Sequence, residues 1–194
     1  PMYFVYREGK YIDVSGKSFL DYMDGKLEGF EGQFPSIKDW EDHITVPFPE
    51  VRLKQYLEMR GADGGPWHII CALPALWVGL LYDHEAQLEA YDLAKPFMNT
   101  SILEEGRISA AKYGLNGKLG SKNIIDIAEE MLRISSLGLE RRNKVDHRGV
   151  DERQFLDPLL NIIRNKKTGS EILLEKFNGT WDKNIDKVFI ENAF

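Results

Sequence analysis

The stretch Tyr56-Leu57-Glu58-Met59-Arg60-Gly61-Ala62-Asp63-Gly64-Gly65-Pro66-Trp67, with Val51-Arg52-Leu53-Lys54 before it, decides how the chain reads. From Val51 to Arg60 the side chains alternate. Val51, Leu53, Leu57 and Met59 fall on one side; Arg52, Lys54, Tyr56, Glu58 and Arg60 fall on the other. Period two predicts an extended strand with one apolar and one charged face. A covered face of that kind needs a partner, a ligand or a metal for each charge. Gly61 and the pair Gly64-Gly65 offer backbone that takes φ > 0 and lets a bound group come close. Pro66 sits where a helix begins, and Trp67 follows it. Spacing alone leaves two readings open: a solvated face with a structural Glu58–Arg60 ion pair, or a site for anionic ligands.

Working outward, Met2 to Val14 reads as a hairpin turning at Glu8-Gly9. Ser18 with Asp21 caps a short helix that stops at Gly25, and a glycine-rich loop runs to Pro35. A second short helix spans Ser36 to Asp42, and Pro47 and Pro49 lead into the central strand. Downstream the pattern is helical. Trp67 to Tyr82 is apolar nearly all round, which predicts a helix buried on most sides. Asp83 caps a helix over Glu85 to Lys95, Ser101 to Tyr113 forms another, and Leu115 to Lys122 is a loop. Lys122 to Arg142 carries an amphipathic helix, Phe155 to Ile163 another, and Thr168 with Glu171 boxes a last one ending at Phe177. No linker divides the chain, so residues 1–194 read as a single domain.

With 43% hydrophobic residues the chain has material for a core, and disorder is not expected. Its net charge of −6 argues against nucleic acid as a partner. The longest nearly apolar run, Ile69 to Tyr82, is too short to span a bilayer, so no membrane role is expected. The single cysteine, Cys71, excludes an internal disulfide and reads as a small buried hydrophobe in an intracellular protein. His43, His68, His84 and His147 include no i, i+4 pair, which argues against a histidine-based zinc site.

Glu50 to Lys54, Tyr56 to Trp67 and Leu73-Pro74-Ala75-Leu76-Trp77-Val78-Gly79-Leu80-Leu81-Tyr82-Asp83 closely resemble glutamate–cysteine ligase of the plant and proteobacterial type. The likeness extends through Pro1 to Arg7, Asp39-Trp40-Glu41-Asp42-His43, Gly138-Leu139-Glu140-Arg141-Arg142 and Phe177-Asn178-Gly179-Thr180-Trp181. It implies an α+β fold: the C-terminal half of a glutamine-synthetase-like catalytic domain, a few antiparallel strands covered by helices. It implies ATP-dependent joining of the glutamate γ-carboxylate to cysteine through an acyl phosphate, the first step of glutathione synthesis, with ATP and Mg²⁺ as cofactors.

By the same resemblance Arg60 is the catalytic clamp, and Arg60, Trp67 and Tyr56 line the glutamate site. Arg52 and Lys54 are the candidates for the cofactor-side charge near ATP, with the choice between them open; Glu58 holds the metal, and Asp63 is as well explained as a turn residue. Arg7, Lys54 and Lys122 stay without a fixed role, with the surface as their default place. The remaining, N-terminal half of the enzyme is the expected partner, and the chain alone is expected to be inactive. The expected compartment is the cytoplasm, or the plastid for a plant protein. Two rivals stay open: a sister carboxylate–amine ligase with another acceptor, and a non-catalytic interaction chain.

Overall fold

The computed structural model describes residues 1–53 and 55–192. More than half of these residues are helical, and the strands form three two-stranded antiparallel sheets, so the fold is α+β. The chain divides into two compact units, Pro1–Ala62 and Asp63–Phe194, and the division falls inside the central stretch.

The first unit begins with β1 (Phe4–Arg7) and β2 (Lys10–Asp13), paired so that Tyr6 faces Tyr11 and Arg7 faces Lys10. Glu8 and Gly9 both have positive φ, 50° and 78°, the geometry of the tight hairpin turn expected at this dipeptide. Next come α1 (Phe19–Met23) and α2 (Ile37–His43). Ser18 caps α1 as read from the sequence; Ser36, read as the first residue of the second helix, is its N-cap and completes a full capping box with Asp39. Met2, Val5, Val14, Phe19, Tyr22, Leu27 and Phe30 make the core of this unit. Asp39 is buried, and Arg7 clamps both of its carboxylate oxygens at 2.6 and 3.0 Å. Arg7 is therefore no surface cation; its Nη2, which donates to Asp39 Oδ2, also donates to the Tyr22 hydroxyl.

The unit ends in β3 (Val51–Leu53) and β4 (Leu57–Met59), an antiparallel hairpin in place of the single expected strand. Val51 pairs with Met59, Arg52 with Glu58 and Leu53 with Leu57, so the chain reverses between Leu53 and Leu57.

The second unit is built from α3 (Trp67–Leu81), α4 (His84–Ala94), α5 (Thr100–Tyr113), β5 (Lys118–Leu119), β6 (Lys122–Asn123), α6 (Ile124–Arg142), α7 (Asp157–Asn165), α8 (Gly169–Asn178) and α9 (Asp186–Glu191). The β5–β6 pair lies where a loop was expected, and α9 follows the helix read as the last. The core of this unit joins α3, α6, α7 and the 3-10 turn Glu152–Leu156 through Ala75, Leu132, Leu139, Leu156 and Ile163. Leu80, Ala86 and Ile134 form a second cluster. The helices α3 and α6 approach closely because Gly79 and Gly138 carry no Cβ there, and Ser135 Oγ donates to the Leu76 carbonyl at 3.0 Å. α3 is less buried than its composition predicts: Ala72, Ala75, Gly79 and Leu80 are covered, while its first turn is open. Cys71 on α3 is only partly buried. Among the described residues no single helix is long and apolar enough to cross a membrane.

Candidate functional site

The β3–β4 hairpin gathers the charges that the sequence singled out. Directly opposed residues of an antiparallel pair share a face, and so do residues two positions along each strand. Arg52 and Glu58 therefore face the same way, joined by Glu50 and Arg60, whose backbones meet through a 2.8 Å hydrogen bond from Arg60 N to the Glu50 carbonyl. For Arg52, Glu58 and Arg60 the predicted alternation survives the reversal, which turns their row of charges into pairs across the hairpin.

This charged face is the better covered of the two. The side chains of Arg52, Glu58 and Arg60 are 30, 29 and 27% exposed, whereas Leu53 on the apolar face is 80% exposed. Arg52 Nε donates to Glu58 Oε2 at 2.8 Å. Arg60 Nε stands 4.0 Å from the same oxygen, beyond hydrogen-bonding distance. The Arg60 guanidinium instead lies over the Phe48 ring, 5.2 Å from its centroid. Arg60 Nη1 is buried and has no hydrogen-bond partner among the described residues. A buried guanidinium N–H left open in this way is the group most in need of an acceptor on this face.

Gly61 matters for a different reason from the one expected. Its φ is not positive, and neither are those of Gly64 and Gly65. A Cβ at position 61 would overlap the carboxylate of Glu50, so glycine there leaves room for that side chain. Glu50 and Phe48 are the two site residues that sequence reading missed. The signal for Glu50 was present: it has the same parity as Arg52, Glu58 and Arg60.

The other expected residues lie elsewhere. Tyr56 falls outside the strands in the bend before β4 and is exposed. Lys54 lies outside the described residues. Trp67 belongs to the second unit, where it opens α3 behind Pro66 and is 70% exposed. Asp63 Oδ1 accepts from the backbone N–H of Gly64 at 2.8 Å, a contact within its own stretch of chain. Lys122 on β6 is exposed. Among the described residues no three His, Cys, Asp or Glu side chains cluster as a metal site would require. The residues present thus suit an anionic group at Arg60 but do not by themselves compose a Mg²⁺ site.

Three relatives illustrate what the chain is similar to. It is 44% identical over 191 residues to the tobacco (Nicotiana tabacum) protein named glutamate–cysteine ligase, chloroplastic, a match covering 98% of this chain and 35% of that protein. It is 47% identical to glutamate–cysteine ligase A, chloroplastic, of Oryza sativa subsp. indica, covering 98% and 37%. The Arabidopsis thaliana glutamate–cysteine ligase, chloroplastic, is 44% identical, covering 98% and 35%. The chain spans about a third of the length of these curated relatives, less than the half that the sequence led us to expect. The family described as glutamate-cysteine ligase family 2 matches residues 1–191, nearly end to end, and the chain belongs to that family.

Proposed function

We propose that this chain carries the carboxylate-clamping part of an ATP-dependent glutamate–cysteine ligase, with Arg60 as its central group. The observation that carries the reading is the buried, unpartnered Nη1 of Arg60 on a half-covered charged face, in a chain of this family. A guanidinium presents a planar fork that matches a carboxylate or a phosphoryl group. In the proposed reaction the glutamate γ-carboxylate attacks the γ-phosphorus of ATP and ADP leaves. The cysteine amine then attacks the acyl phosphate carbon and phosphate departs, leaving γ-glutamylcysteine. Arg60 would hold the anionic substrate and offset negative charge as it builds on the transferring group.

Mg²⁺ would supply neutralisation of phosphate oxygens. Glu58 is the one acid of this hairpin proposed to contribute to it, with further ligands from outside the described cluster. Arg52 is proposed to act partly through Glu58, which it already holds at 2.8 Å. Trp67 and Tyr56 are carried as glutamate-site candidates and Lys54 as an ATP-side cation, each to be tested separately. We further propose that both units belong to one glutamine-synthetase-like catalytic domain. The names of the relatives favour the plastid over the cytoplasm as its compartment.

One observation favours a second reading. The 2.8 Å Arg52–Glu58 pair is what a purely structural hairpin would show. Calorimetric titration with glutamate, with and without Mg-ATP, separates the two. Heat of binding that disappears in Arg60→Ala supports the clamp, and equal heat from both proteins rejects it. No heat from either calls for repeating the titration with the rest of a family-length enzyme present.

A further inference from the structure

We propose that Phe48 is a positioning residue: its ring holds the Arg60 guanidinium away from Glu58 and so keeps Arg60 free for an anionic substrate. The inference rests on the reading of Arg60 given above and adds the residue that makes it work.

The hairpin places Arg52 and Arg60 on the same face as Glu50 and Glu58, and the two arginines are not treated alike by Glu58. Arg52 closes on Glu58 Oε2 at 2.8 Å, while Arg60 stops 4.0 Å from the same atom. An arginine with a carboxylate on its own strand face would ordinarily close that gap, because a charge-assisted hydrogen bond is worth about twice a neutral one. What Arg60 has in place of that bond is the Phe48 ring, 5.2 Å from its Cζ. The negative face of an aromatic ring attracts a guanidinium without consuming any of its N–H donors. The donors therefore remain available, and Nη1 is buried without a partner.

Phe48 is suited to this by its neighbours. It lies between Pro47 and Pro49. Pro49 biases the Phe48 backbone toward the extended region, and Pro47 has a fixed φ of its own. Little conformational freedom is left to lose when the ring is set against the guanidinium. The ring is also 69% exposed, so packing in the core does not account for a large apolar residue at this position.

The test uses the family-length ligase bearing this sequence for kinetics, and the present chain for spectroscopy. Phe48→Leu keeps an apolar side chain of similar bulk and removes the aromatic face; Phe48→Tyr restores it. Losing a cation–π contact at a largely exposed ring is expected to raise KM for glutamate about two- to fivefold, with kcat and the KM for ATP little changed. Phe48→Tyr is expected to return KM to its starting value. In the chain, the Arg60 Nε–Hε resonance should lose its ring-current shift in Phe48→Leu and keep it in Phe48→Tyr.

A purely structural role would lower kcat through a smaller active fraction and leave KM alone, and that result overturns the proposal. So does an unchanged Arg60 resonance, or a shifted resonance with unchanged KM. If Arg60→Lys raises KM for glutamate while Phe48→Leu does not, the clamp stands and the positioning role falls. If neither variant moves KM, both fall.

Discussion

Arg7 and Asp39 show how one buried charge is made tolerable. Asp39 is 7% exposed, and its oxygens accept from Arg7 at 2.6 and 3.0 Å, from Ser36 N at 2.7 Å and from Ser36 Oγ at 2.6 Å. Burial pushes its carboxyl pKa up, but the hydrogen bonds from Arg7 and Ser36 and the charge of Arg7 together outweigh burial and hold it below the usual carboxylate value. A carboxyl depressed in the folded state contributes stability that is complete above its unfolded pKa, near 4, and is lost as pH falls through the folded value. Asp39→Asn keeps the shape and removes the charge, leaving Arg7 without its carboxylate. We expect it to lower stability by about 2–3 kcal/mol near neutral pH. The gap between variant and parent should narrow below about pH 4. Urea melts of both proteins at pH 7 and pH 3 check this, and an equal gap at the two values would reject it. The Ser36–Asp39 box is a local four-residue pattern of the same kind as the one read at Thr168–Glu171, although the sequence reading did not single it out. The link from Asp39 to Arg7, 32 positions away, was not legible, because no local pattern encodes a contact of that separation.

Elements were legible where local chemistry decides them. Ser18, Asp83 and Thr168 all cap helices as their types and spacing predict. The β3–β4 hairpin was not legible, for a geometric reason. Pairing Arg52 with Glu58 and Leu53 with Leu57 keeps residues of equal parity on one face, so a hairpin in this register shows the same alternation as one long strand. The sequence therefore identified the faces and hid the fold-back, and with it the pairing of Arg52 with Glu58. The α3–α6 crossing is another feature hidden until the helices are seen together. A Cβ on residue 138 would overlap the carbonyl oxygen of Gly79 and press on Ala86. Intrinsic propensity favours Ala over Gly in a helix by about 1 kcal/mol. Overpacking against backbone costs about 1–3 kcal/mol or more, since a main-chain oxygen cannot rotate aside. Gly138→Ala is thus expected to destabilise the second unit, lowering its melting temperature by several degrees. A melting temperature at or above that of the parent would show that the two helices can separate without penalty.

For the whole molecule, motifs revealed kinship but not extent: a match along nearly the entire chain says nothing about how much polypeptide the relatives add. That is why a half was expected where a third is found. The reaction proposed above gives this difference a consequence. Phosphoryl transfer from ATP to a carboxylate brings several negative oxygens together, and metal ions and fixed cations must neutralise them. This chain has a net charge of −6, and its described residues contain no cluster of three metal-ligating side chains. The hairpin offers Arg60 toward an anion, but Arg52 is already engaged by Glu58. We therefore expect the chain, given glutamate, cysteine, ATP and Mg²⁺, to release no ADP above a protein-free blank. Adding the separately expressed remainder of a family-length enzyme should produce ADP that depends on both pieces, and Arg60→Ala in this chain should abolish it. ADP release by the chain alone would overturn the division of labour proposed here, because the metal-binding acids would then have to lie within these 194 residues. Release from the two pieces that is indifferent to Arg60 would place the anion clamp outside the β3–β4 hairpin.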